Sequence, residues 1–265
     1  MARARKDKDK EKSGEVLQYY RALYAAWGAQ HWWPAETRFE VIVGAYFTQN
    51  TAWANVELAL AKLRAAHVLS VEGIREVSLV RLQRLIRSSG YFRQKAARLK
   101  TFIAFLDKKY GGSLDHLFAQ PTDKLRAELL SLNGVGPETA DSILLYAGNH
   151  PVFVVDAYTR RILDRHGIFP EQTNYEEIRE LFQRVLAPIA EQQEAVTANP
   201  VVSLESGFRG AAHPPSAMST AARTALVQVY NEMHGLIVGV GKNYCGKSQP
   251  KCDQCPLQPF LPAVK

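Results

Sequence analysis

Leu132-Asn133-Gly134-Val135-Gly136-Pro137 stands between two stretches of helical period, one carrying Leu125, Leu129 and Leu132, the other Ala140, Ile143, Leu144 and Ala147. Six residues leave room only for a tight turn between two helices. Glycines at 134 and 136 permit backbone angles that other residues resist, and they let main-chain amides approach a ligand with no Cβ in the way. Pro137 suits the first position of the second helix. Amides gathered at a helix start, with its dipole behind them, can take a phosphate oxygen. The same six residues would also serve a plain helical hairpin, so the turn alone leaves both uses open.

Working outward, the helical period persists. Leu99, Phe102, Ile103 and Leu106 recur at helix spacing, as do Ile178, Leu181, Phe182, Val185 and Ile189. Phe39 to Phe47 is apolar almost all round, which predicts a helix buried in the middle of a domain. Val152 to Val155 is strand-like in isolation; entered through Pro151 and followed by Asp156, it reads better as a buried connector running into an acid-capped helix. A final helix over roughly 221 to 239 follows, and no sheet is predicted. The fold class is therefore all-α, with two helical domains expected: 38–150 as a continuous block of six helices carrying the hairpin, and 15–37 joined with 151–265 as a domain built from both chain ends. Thr197 to Ser219, rich in Pro, Gly, Ser and Ala, predicts a mobile insertion loop.

At 265 residues with 46% hydrophobic and 22% charged, the chain has the balance of an ordinary soluble protein. No apolar run approaches the roughly 20 residues a membrane span requires, so no membrane partner is expected. The charged start, Met1 to Lys12, lacks the apolar segment of a secretory signal; residues 1–14 are expected to form a disordered basic arm, and the protein to work in the cytoplasm, associated with the nucleoid. A net charge of +7 favours an anionic partner, nucleic acid first among them. Part of that charge lies in the arm, where a solvated tail explains it equally well.

The three cysteines, Cys245, Cys252 and Cys255, all fall near the C-terminus. A disulfide framework would spread an even number through the chain, whereas thiols this close can converge on one soft metal centre. Metal binding is expected, with iron-sulfur, zinc or no metal left open by the spacing; for zinc the fourth donor would have to be His234, which is more simply a packed or surface residue.

The stretch Leu-Asn-Gly-Val-Gly-Pro-Glu-Thr-Ala-Asp ending at Asp141, followed by Val-Val-Asp-Ala-Tyr-Thr-Arg-Arg over 154–161, resembles the helix-hairpin-helix and catalytic-aspartate block of the endonuclease III (HhH-GPD) DNA glycosylase superfamily. Phe-Thr-Gln-Asn-Thr at 47–51 is similar to that family's glutamine turn, and Ser-Gly-Tyr-Phe-Arg-Gln-Lys-Ala at 89–96 to its second DNA-facing loop. The cysteines fall where the family carries a 4Fe-4S loop, although the fourth family cysteine is replaced by Leu261. Trp32-Trp33-Pro34, the Thr-Gln-Asn-Thr turn and Glu138 resemble the 3-methyladenine DNA glycosylase III branch. The resemblance covers roughly residues 17 to 258.

This resemblance implies a monomeric base-excision-repair N-glycosylase acting on double-stranded DNA with a damaged base, an alkylated purine by the branch it resembles, in a cleft between two domains. It implies Asp156 as the carboxylate that stabilises the cationic sugar and handles water, where residue type alone would suggest only a helix cap. Bifunctional members carry a lysine where this chain has Glu138; a carboxylate forms no Schiff base, so AP-lyase activity should be weak or absent, and Glu138 is left a supporting place near the attacking water. Neither Lys95 nor Lys100 lies at the matched position. Gln49 and Tyr91 match the positions that fill the gap left by the extruded base, with Gly134, Val135, Gly136 and Lys95 as further DNA contacts. Trp32, Trp33 and Trp53 are candidates for the base pocket, since an indole face attracts a cationic base. A bifunctional or mismatch glycosylase on the same scaffold, and a DNA-binding relative without catalysis, are the competing functions.

Overall fold

A computed structural model of the chain describes residues 2–194 and 213–262. All regular structure among these residues is helical, with no strand, so the chain is all-α. Packing divides it into two units, Ala35–His150 and Met1–Pro34 with Pro151–Lys265. No described helix is long and apolar enough to cross a membrane.

In the unit built from the chain ends, α1 (Ala2–Trp27) runs through the basic start of the sequence. The arm expected to be disordered is thus helical from Ala2, as its Ala, Arg, Lys and Glu content favours. The continuous unit contains α2 (Arg38–Phe47), α3 (Trp53–Ala65), α4 (Val71–Glu76), α5 (Leu79–Leu85), α6 (Phe92–Tyr110), α7 (Leu114–Phe118), α8 (Thr122–Leu130) and α9 (Pro137–Ser142). Every residue of α2 after Arg38 is buried, and α3, α6 and α9 pack around it. That is what an all-round apolar sequence demands, since such a helix has no face to show water. Its start is set by Thr37, whose side chain accepts the Glu40 amide at 3.1 Å. Beyond α9 the chain widens into a single π turn, Ile143–Ala147, closed by the Gly148 amide donating to the Ile143 carbonyl at 3.1 Å. All five residues of that turn are buried against the core.

The chain then returns to the first unit with α10 (Ala157–Arg165), α11 (Tyr175–Glu194) and α12 (Ala225–Asn243). In α11 the buried stripe continues from Ile178 and Phe182 to Leu186 and Ala190, while Val185 and Ile189 are half-exposed. A strict four-residue step drifts slowly around a helix of 3.6 residues per turn, so the core follows the i+4 row. The last helix starts at Ala225, four residues beyond the expected 221, where Thr224 accepts the Val227 amide at 3.3 Å. It is buried over nearly its whole length and packs on α1, α10 and α11. Of the expected 197–219 loop, residues up to 212 lie outside the described part; at its end the His213 amide donates to the Gln30 carbonyl at 3.3 Å.

Candidate active site

Asp156 closes the connector 152–155, whose four side chains are all essentially inaccessible. Burial of that run fixes where the next residue points, and Asp156 is the N-cap of α10. Its Oδ1 accepts both the Thr159 amide at 2.7 Å and the Thr159 hydroxyl at 2.8 Å. Residue type alone predicted a cap, and Asp156 is one. The cap uses a single oxygen, however. Oδ2 lies 3.6 Å from Nε2 of His234 on α12. Burial, the largest influence on this carboxyl, pushes its pKa up; His234 and the two Thr159 donors outweigh burial and hold it below the usual 3.8. Asp156 is therefore ionised throughout the neutral range. His234 is buried and its ring meets Phe153 edge-on at 6.3 Å. The sequence leaves His234 as a packed or surface residue; it is packed, and nothing in the local pattern of α12 points to a partner so distant in sequence.

In the continuous unit, the hairpin turn makes different demands at its two glycines. Gly134 has φ +80, and a Cβ there would run into the Arg98 guanidinium that crosses it. Gly136 has φ −93, and a Cβ there would meet nothing. A Cβ is barred at the first glycine and has room at the second. Gly134→Ala is expected to destabilise this unit by about 2–4 kcal/mol, from the left-handed backbone plus overpacking, read by urea unfolding. Gly136→Ala should leave unfolding unchanged and weaken duplex binding alone. Val135 between them is buried at 7% exposure and anchors the turn, while Glu138 is exposed in the first turn of α9. The two hairpin helices are tied by Asp141, fully buried, which accepts Arg126 Nε at 2.6 Å and Nη2 at 3.1 Å.

Gln49 is drawn into the same turn. Its Nε2 donates to the Gly134 carbonyl and the Thr139 hydroxyl, each at 2.9 Å, and its Oε1 accepts Arg98 Nη1 at 2.9 Å. Its amide braces the hairpin. Tyr91 is the opposite case, 65% exposed and held at φ 44 as the residue before α6. A large ring presented to solvent from a left-handed backbone is costly, and such strain persists where surrounding structure enforces it. Lys95 departs from its expected place among the DNA contacts. It is 1% exposed, and its ammonium donates to the Phe47 carbonyl (2.8 Å), the Thr51 hydroxyl (2.8 Å) and the Ser89 carbonyl (2.6 Å). With three donors and three acceptors it is saturated, and it staples the 47–51 turn to the 89–91 loop. Burial first, and the Arg98 charge second, bring its pKa down to about 8. Lys100, likewise, is held by the Val77 and Arg75 carbonyls.

Of the three tryptophans, Trp53 begins α3 half-exposed, while Trp32 and Trp33 lie in the other unit, each 5% exposed. Lys242 Nζ lies 5.3 Å from the Trp32 ring centre, and His213 packs beside that ring. The segment is anchored by the Gln30 amide, which donates to Glu232 Oε2 at 2.8 Å. Glu232 is itself buried, which raises its pKa to about 7.

All three cysteines are free thiols and line one pocket together with His166 and Leu261. Cys245 Sγ accepts Arg165 Nη1 at 3.0 Å, and its carbonyl accepts Arg161 Nε at 2.8 Å. Leu261, at the family's fourth position, offers no donor. Among the described residues no three His, Cys, Asp or Glu side chains, these cysteines included, are grouped closely enough to hold one metal ion.

The sequence profile of the HhH-GPD superfamily of base excision DNA repair proteins matches residues 43–188. A Methanocaldococcus jannaschii protein, whose assignment as a DNA repair glycosylase is itself provisional, is 40% identical over 92% of this chain and 94% of its own length. Endonuclease III of Thermotoga maritima is 33% identical over 56% of this chain and 65% of its own length. Among solved structures, H. pylori 3-methyladenine DNA glycosylase bound to 1,N6-ethenoadenine superposes with a TM-score of 0.68 at 27% identity, covering 87% of this chain and 97% of that one. A non-covalent endonuclease III–DNA complex shares the fold at a TM-score of 0.64 and 20% identity, covering 92% and 91%.

Proposed function

Since the chain belongs to the HhH-GPD superfamily of base excision DNA repair proteins and is a DNA glycosylase of that superfamily, we propose that it is monofunctional and removes an alkylated purine by hydrolysis assisted by Asp156. The observation carrying this reading is the division of labour within one carboxylate: Oδ1 is committed to the helix cap and Oδ2 is left over, ionised at neutral pH. Departure of the base leaves positive charge on the sugar, and a fixed carboxylate stabilises that charge and orients water toward it. The hairpin amides at Gly134 and Gly136 are proposed to hold a strand phosphate, which the open space at Gly136 supports, while Val135, whose amide donates to the Leu132 carbonyl at 3.1 Å, anchors the turn. Tyr91 is proposed as the wedge that fills the vacated stack, and Gln49 as its partner through the hairpin it braces. Trp32, Trp33 and Trp53 are proposed as walls for a cationic base, a reading supported by the Lys242 ammonium 5.3 Å from the Trp32 ring centre. The protein would act as a monomer on damaged duplex DNA in the cytoplasm, at the nucleoid.

Water is the proposed nucleophile because Glu138 occupies the position at which bifunctional members of the superfamily carry a lysine. Glu138 stands in the first turn of α9, and Lys95 is saturated inside the unit. Borohydride should therefore trap no covalent enzyme–DNA adduct, and products should appear as intact strands with abasic sites that break only in alkali. Duplexes bearing alkylpurines, oxidised pyrimidines and mismatches, assayed with and without alkali, test both halves of the reading. A trapped adduct would establish the bifunctional alternative, and release of an oxidised pyrimidine in preference to alkylpurines would overturn the substrate class. For the cysteine loop we propose a structural iron-sulfur cluster on three thiolates, supported by their shared pocket; visible absorption of freshly purified protein decides it.

A further inference from the structure

We propose that His234 is a positioning residue for Asp156, its buried imidazole holding the one carboxylate oxygen that the α10 cap leaves over. The inference rests on Asp156 being the catalytic carboxylate. Oδ1 is fully engaged by Thr159, so the orientation of the carboxylate about its cap is set on one side only. On the other side, 3.6 Å from Oδ2, stands Nε2 of His234. That nitrogen cannot swing to water. It sits on a helix buried over nearly its whole length, with Phe153 edge-on to the ring at 6.3 Å.

Among the described residues, the groups facing the Asp156 carboxylate include Thr159 and Tyr158 from α10, with Arg161 over the Tyr158 ring, and His234 from α12. Burial is the largest single influence on this carboxyl and acts against ionisation. Without a basic partner at Oδ2, burial is opposed by Thr159 alone, and the carboxylate should take up a proton at a higher pH. His234 faces Oδ2 across 3.6 Å, a longer approach than the 2.7 and 2.8 Å bonds that the cap gives Oδ1, and the two together keep Asp156 ionised and aimed. Neither residue's local sequence shows the pairing, because α10 and α12 meet only through tertiary packing.

The experiment is single-turnover base release from duplex DNA treated with dimethyl sulfate, followed across pH for the wild type, His234→Gln, His234→Phe and Asp156→Asn. The wild-type rate should stay flat between about pH 7 and pH 5, because its carboxylate titrates below that window. His234→Gln should be slower at pH 7 and should lose about a further tenfold by pH 5, with duplex affinity near wild type. His234→Phe fills the same space without a basic nitrogen and should show the same fall, which keeps the test open if one variant folds poorly. Variant profiles that parallel the wild type through the acid window, whatever their absolute rates, would overturn the inference. Persistence of base release in Asp156→Asn would instead overturn the reading on which it rests; loss of release there, with His234 profiles parallel, overturns the His234 role alone.

Discussion

Asp156→Asn is expected to lower single-turnover base release by about a thousandfold or more, equivalent to about 4 kcal/mol of lost transition-state stabilisation, while leaving the fold and duplex affinity nearly intact. The separation is possible because Asp156 does two things with two oxygens. As an N-cap it accepts the Thr159 amide at 2.7 Å, and Asn caps helices about as well as Asp does. An amide retains the acceptor and loses the charge. If the residue were only a cap, the variant would release base at the wild-type rate, and that outcome sinks the assignment. The pH consequence has a definite sign. Because the folded-state pKa is held below 3.8, ionised Asp156 contributes stability that is fully present above that value and is lost as pH falls through the folded-state value.

Asp141→Ala is the second large effect, and it acts on stability. The carboxylate is completely buried and bidentate with Arg126, whose own side chain is only 13% exposed, so the pair bridges α8 and α9 across the hairpin turn. Removing one partner strips a buried guanidinium of its counter-charge, which costs about 3–5 kcal/mol. Urea unfolding should show that loss, with duplex binding falling in the same denaturant range because the turn is carried by the two helices the pair joins. Replacing both partners together, Arg126→Met with Asp141→Leu, should recover most of the stability, since no uncompensated charge is then left inside. A double variant no more stable than Asp141→Ala would show that the pair specifies the hairpin in a way apolar packing cannot replace.

Much of this was legible without coordinates. The 3.6-residue period announced an all-α chain, the all-round apolar run at 39–47 announced a central helix, and Asp156 after an apolar connector announced a cap. The family resemblance alone singles out Tyr91, and it is exposed in a left-handed conformation. Lys95 is the contrary case. A basic residue two positions after Arg93 and three before Arg98 looks like part of a phosphate-binding face, yet three oxygen acceptors from two separate turns draw it inside. The basic run at the chain start misled in the other direction: charge suggested a solvated tail, and helix propensity carried α1 through it.

By itself, the sequence determined what is local: which residues turn, cap or bury, because those depend on neighbours within one or two helical turns. Tertiary structure alone decided which distant groups meet. His234 beside Oδ2 of Asp156, Arg126 on Asp141, Gln49 locked to Gly134 and the lysine staple between two loops all join separate elements. The physical reason is that hydrogen bonds and charge pairs act over a few ångströms in space, and a one-dimensional pattern does not record which side chains the packing of helices brings that close.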